Sequence, residues 1–119
     1  MSLCIFAGGK TATVGASLFT LSWTHSVEMI EWQEVWRVNS QGLELVEARV
    51  KGSGAGMEPP PDAHLVDGWW VYVPPLPPLP ELRLAASGAT ISPWRLCAAG
   101  HCRELGANAG VPVILKPCP

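Results

Sequence analysis

The chain has 119 residues, of which 48% are hydrophobic and 15% charged, with a net charge of −2. That length suits one domain, 1–119, and the apolar share is enough to build its core. The eight Lys and Arg are scattered singly from Lys10 to Lys116, so no basic stripe exists to neutralise phosphates and nucleic acid is not an expected partner.

Twelve Gly and twelve Pro punctuate short runs rich in Val, Leu, Trp and Thr, the pattern of many short strands joined by turns. The expected fold is all-β, a small antiparallel β-barrel or β-sandwich of about 8–10 short strands. Strands are predicted over Leu3–Ala7, Thr11–Val14, Leu18–His25, Ile30–Val38, Leu43–Val50, Trp69–Val73, Leu82–Ala85, Trp94–Ala98, Arg103–Leu105 and Val111–Leu115. Met1 to Leu18 has neither a charged start followed by a long apolar stretch nor a clear cleavage site. No run approaches the ~20 apolar residues that span a bilayer. No membrane span in this chain is expected; the absence of a signal is what a cytoplasmic location would show, but it leaves the compartment open.

In FTLSWTHSVEMIEW, residues 19–32, the face shared by Phe19, Leu21 and Trp23 continues to His25, whereas Thr20, Ser22, Thr24 and Ser26 share the other. The next strand places Glu28, Ile30, Trp32, Glu34, Trp36 and Val38 on one face, mainly apolar but interrupted by carboxylates. The spacing of Met29, Trp32 and Trp36, with Ser26 as a cap, also permits a helix. The β-branched residues and the hairpin connection to the preceding strand favour the strand. His25 is then expected to point inward, and a carboxylate at Glu34 buried beside it would lower the cost of burial by pairing with the imidazolium. The plain alternative is a core histidine satisfied by a backbone carbonyl.

KGSGAGMEPPPDA, residues 51–63, reads as a long ordered loop. Ser53 offers a hydroxyl, and the backbone N–H groups of Gly54 to Gly56 are candidate anion donors, but the segment lacks the Lys-Ser/Thr ending of a phosphate loop. Asp67-Gly68 supplies a turn ahead of Trp69 and Trp70, which must face opposite sides of a strand. One of the two, with Trp70 the candidate for binding, is expected at a pocket rim or interface. The six tryptophans bury enough area to form most of a small β core. The proline-rich VPPLPPLPEL cannot be a central strand and should run extended over the surface with its leucines packed back.

Four cysteines, at positions 4, 97, 102 and 118, allow three pairings if all are oxidised. In LCAAGHCREL, Ala98-Ala99-Gly100-His101 reads as a tight hairpin that sets Cys97 opposite Cys102 at bridging distance. A Cys4–Cys118 bridge would staple the termini, but the sequence does not decide it. A single C-x4-C with one neighbouring histidine does not complete a zinc tetrahedron, so neither a metal nor another cofactor is expected.

FTLSWTHSVEMIEWQEVWRV, VKGSGAGMEPPPDA and DGWWVYVPPLPPLPELRLAASGAT together resemble the bacterial domain-of-unknown-function family numbered 1850, over about Leu3 to Leu105. His25-Ser26-Val27-Glu28, Glu34 and the Ser53–Met57 segment match its recurring motifs. The resemblance implies a small β-rich domain of uncharacterised activity, often encoded beside tripartite ATP-independent periplasmic transporters of the TAXI type. Some relatives carry an N-terminal anchor that holds the domain outside the cytoplasm. Two function classes follow. The first is a binding or accessory module for a small solute or a TAXI-type transporter component, lined by His25, Ser26, Glu28, Glu34, Ser53, Gly54, Gly56 and Trp70. The second is a hydrolase-like enzyme using His25 as base and Glu34 to orient it. The binding module is preferred, with no catalytic residue assigned.

Overall fold

The structure is a computed structural model and describes residues 1–24, 30–51, 61–86, 93–107 and 110–119. Three of its hairpins are closed by two-residue turns in which both central residues have positive φ. These are Gly8-Gly9 (56° and 79°), Asp67-Gly68 (51° and 85°) and Ala99-Gly100 (52° and 80°). That backbone matches the right-handed twist of the flanking strands, which is why Gly and Asp-Gly recur there. Among the described residues there are eleven strands: β1 Ser2–Ala7, β2 Lys10–Val14, β3 Leu18–Thr24, β4 Glu31–Asn39, β5 Gly42–Lys51, β6 His64–Val66, β7 Trp69–Tyr72, β8 Leu82–Leu84, β9 Trp94–Ala98, β10 His101–Leu105 and β11 Val113–Cys118.

The strands form two antiparallel sheets, β2-β1-β11-β8 and β10-β9-β3-β4-β5-β7-β6. Among the described residues neither sheet closes, and no strand is shared between them. The barrel alternative is therefore replaced by a sandwich. β6 cannot continue the sheet: it has three residues, all exposed. It was not expected from the sequence because so short an exposed edge carries no alternation of polarity. Most other boundaries shift by a single residue, and two strands shift by more, with β11 also running on to Cys118. β10 begins at His101, directly after its turn, and β11 begins at Val113 rather than Val111, which is 67% exposed.

The core between the sheets is mostly leucine: Leu3, Leu21, Leu43, Leu84, Leu96 and Leu115 are each at most 4% exposed. Trp36, 3% exposed, is the tryptophan inside this cluster, with Trp23 and Trp94 packed against it. Most of the tryptophan surface thus lies away from the place expected for it. The aliphatic side chains of two short sheets already fill the gap.

Parity changes once, in β5. Val35 pairs with Glu47 and Trp36 with Leu45, so Val46 is an extra residue opposite no partner. Before this bulge Leu43 and Leu45 face the core; after it Ala48 and Val50 do, and all four are buried. A regular strand would have sent Glu47 and Arg49 inward instead.

The proline-rich segment is tied down at Leu79, whose N–H and C=O exchange 2.8 and 2.7 Å hydrogen bonds with Leu43. A Cβ on Gly42 would collide with the Leu79 carbonyl oxygen, so glycine is required at that crossing. Leu79 packs on the core, but Leu76 does not fold back as expected and is 41% exposed.

Both disulfides form. Cys97 and Cys102 are direct cross-strand partners beyond the Ala99-Gly100 turn. Cys4 and Cys118, 114 residues apart in sequence, join β1 to β11 with Cα atoms 5.8 Å apart. Constraining the unfolded chain over the long loop is worth about 5 kcal/mol, against about 2 kcal/mol for the five-residue separation. Paired Cys→Ala variants should therefore lower the denaturant midpoint much more for Cys4/Cys118 than for Cys97/Cys102, measured by urea unfolding of oxidised protein.

Candidate functional site

Three neighbouring strands of the seven-stranded sheet present a two-by-three lattice of side chains on their inner face. One row is Trp32 on β4, Val50 on β5 and Trp70 on β7; the next is Glu34, Ala48 and Tyr72. The middle strand carries the small members, Ala48 and Val50, both buried. Large side chains rise on either side, all half-buried. With strands ~4.8 Å apart, the backbones of β4 and β7 stand about 10 Å apart on either side of β5. A row of small side chains, 4% and 6% exposed, thus runs between two rows of large ones, a trough in outline, and the bulge at Val46 creates that order by turning Ala48 and Val50 inward.

Glu34 reaches this face because β3 pairs with β4 in the expected hairpin, Leu21 opposite Glu34 and Trp23 opposite Trp32. The strand reading of this region holds, and Glu34 is partly buried as its parity requires. The indole Nε1–H of Trp36 donates to Glu34 Oε1 at 3.1 Å. Burial raises the Glu34 pKa above its ordinary 4.5, and the Trp36 hydrogen bond, which favours the anion, only partly opposes it. Tyr72 is held above its ordinary value first by burial and then by the negative charge of Glu34, so the two walls sense each other across Ala48. Among the described residues facing Glu34 from neighbouring strands, Leu21 and Ala48 do not titrate and Tyr72 does.

The trough is extended by an aromatic cluster. Trp23 and Trp32 stack with centroids 6.2 Å apart and planes 7° from parallel, and Trp94 tilts onto Trp23 at 4.9 Å. Trp94 Nε1–H is satisfied by the Ala85 carbonyl at 2.9 Å. Trp32 Nε1 is shielded from solvent and has no hydrogen-bond partner among the described residues. A buried indole N–H without an acceptor is costly.

Of the residues expected to form the site, Glu34 and Trp70 come together on one face. Trp69 and Trp70 take opposite faces of β7 as required: Trp70 faces the trough, and Trp69 lies outside with Lys51 Nζ 4.9 Å from its ring centroid. His25, Ser26, Glu28, Ser53, Gly54 and Gly56 lie outside the described residues. Tyr72, Trp32 and Ala48 were missed as site members. The Trp70-Val71-Tyr72 alternation was a signal for Tyr72, but its position beside Glu34 depends on the β5–β7 register. On the outer face at the same end, a cleft of about 290 Å³ is lined by Ser22, Glu31, Arg95 and Glu104 among others. Arg95 and Glu104 there are cross-strand partners. Among the described residues no group of His, Cys, Asp and Glu is placed to hold a metal ion.

One family model, described as Domain of unknown function (DUF1850), matches residues 19–105. No curated protein and no solved structure matches the chain.

Because the fold raises the Glu34 pKa, the protonated form is the one the fold favours. The contribution is complete below the unfolded value near 4.5 and is lost as pH rises through the higher folded value. Glu34→Gln keeps an acceptor for Trp36 and removes the desolvated charge. Its melting temperature should match wild type near about pH 4 and exceed it by about 2–4 °C near about pH 8, read by thermal denaturation.

Proposed function

The chain belongs to the family described as Domain of unknown function (DUF1850), and on that premise we propose that it is a bacterial binding or accessory module for a small solute. Its binding site is the trough over β5, and it serves a TAXI-type tripartite ATP-independent periplasmic transporter. The transporter association rests on the likeness to the family described above.

The observation that carries the binding reading is the pair formed by Glu34 and Trp32 Nε1. One is a carboxylate kept where burial opposes its charge; the other is a shielded donor with no described acceptor. Both weaken the fold, and both gain if a ligand supplies the missing partners, which is the usual economy of a binding site. Aromatic walls around a few polar groups are the common lining of small-molecule sites.

A location outside the cytoplasm is supported by the two disulfides, which tie all four cysteines. Such bonds persist in oxidising compartments and are rare in reducing ones. No helix is long and apolar enough to cross a membrane among the described residues. A hydrolase would instead need His25 within hydrogen-bonding reach of a carboxylate and of a hydroxyl or water. The described residues offer an aromatic trough and a buried acid, which suit retention of a ligand.

Native mass spectrometry of protein purified without tags or chelators tests the reading. A small-molecule adduct is expected on the wild type, with occupancy reduced about tenfold in Trp70→Ala, a loss typical of a binding hot spot. Near-UV circular dichroism checks that the variant is folded. An adduct equally occupied in Trp70→Ala would place the ligand elsewhere, and a bare protein that binds nothing from a cell-extract small-molecule fraction would count against a binding module.

A further inference from the structure

The charge pattern of the sheet's inner face narrows the class of ligand. From β3 to β7 the register places Phe19, Leu21, Trp23, Trp32, Glu34, Trp36, Val38, Ala48, Val50, Leu65, Trp70 and Tyr72 on that face. Glu34 is the one acid among these residues and none of them is Lys or Arg; on the same sheet face Arg103 and His101 of β10 lie three strands away from Glu34. The basic side chains of these strands, Arg37, Arg49 and Lys51, lie on the opposite face. Arg37 pairs there with Glu44, Arg49 with Glu47, and Lys51 rests over Trp69. An anionic ligand in the trough would meet Glu34 with no Lys or Arg among the described residues of β3 to β7 on that face to offset it.

A cation has the opposite reception. Trp32, Trp70 and Tyr72 share that face with Glu34; aromatic ring faces attract a cation, and Glu34 adds a full counter-charge once ionised. The shielded Trp32 Nε1–H calls for an oxygen acceptor in the same ligand. Trp32 and Glu34 are two residues apart on one strand face, ~6.6 Å along β4. That spacing fits a cation and an oxygen separated by a spacer of two or three atoms.

We propose that the trough selects an organic ammonium compound bearing a nearby hydroxyl or carbonyl oxygen. Its alkylated nitrogen lies between the aromatic walls against Glu34, and its oxygen accepts from Trp32 Nε1. The inference rests on the trough being the binding site, and it specifies what that site takes. Binding also relieves the desolvation of Glu34 by giving the carboxylate an opposite charge.

The test is a titration of the oxidised full chain by tryptophan fluorescence and calorimetry with four probes. They are choline, its neutral isostere 3,3-dimethylbutan-1-ol, tetramethylammonium, and succinate. Choline should bind about tenfold or more tightly than the neutral isostere, and succinate should not bind. Glu34→Gln should remove that discrimination while remaining folded by near-UV circular dichroism. Trp32→Phe, which keeps a ring and loses the N–H, should weaken choline and leave tetramethylammonium unchanged. Equal affinity for choline and the isostere, choline binding that survives Glu34→Gln, or binding of succinate alone would overturn the ammonium assignment and leave the trough as a site. No response to any of the four probes would remove the trough reading itself and this inference with it.

Discussion

One unpaired residue in β5 governs the inner face of the large sheet. Side chains alternate with a period of two, so an insertion of one residue exchanges the faces of everything beyond it. Val46 is that insertion. Without it, Glu47 and Arg49 would face inward between Glu34 and Tyr72, and the trough would be filled by two long charged side chains. With it, Ala48 and Val50 form a small apolar floor, and Glu47 and Arg49 pair with each other on the outside. The small floor between Glu34 and Tyr72, and with it their coupling across Ala48, follows from that exchange. Bulges are over-represented beside functional sites for this reason: they re-aim side chains without altering the strand's neighbours.

The rest of the molecule holds that sheet in place. A sandwich with open edges gains its contacts between residues distant in sequence, and closing such loops costs entropy before contacts are made. The Cys4–Cys118 bond removes much of that freedom from the unfolded chain. The four-stranded sheet then covers the leucine-rich part of the large one. The tryptophan-rich part is left partly accessible, so large aromatic surface is available there for a ligand rather than spent on the core.

How much of this was legible in the sequence depends on how local its cause is. The β3–β4 hairpin was legible because Phe19-Leu21-Trp23 and Trp32-Glu34-Trp36 alternate cleanly, and the inward position of Glu34 came with it. The Cys97–Cys102 bond was legible because an Ala-Gly turn fixes its register over a few residues. The Cys4–Cys118 bond was not, since nothing near either cysteine reports on the other. The bulge was hidden because Leu45 and Val46 are both apolar, so neither parity of β5 looks wrong on its own. Tyr72 was hidden for the same reason at longer range: its place opposite Ala48 is set by β5–β7 pairing across more than twenty residues of intervening chain. Trp70 could be named as one of an adjacent pair, but the register alone decides which of the two faces inward.

The central claim is that the re-phased β5 encloses the Glu34 carboxyl in a desolvated site against Trp36. Carbon-13 NMR of the Glu34 carboxyl carbon, followed through a pH titration with the Trp36 indole proton, tests it most directly. A midpoint above the ordinary glutamate range, reported by both resonances together, is the predicted result. A midpoint at or below that range, with an indole resonance that does not respond, would contradict the account.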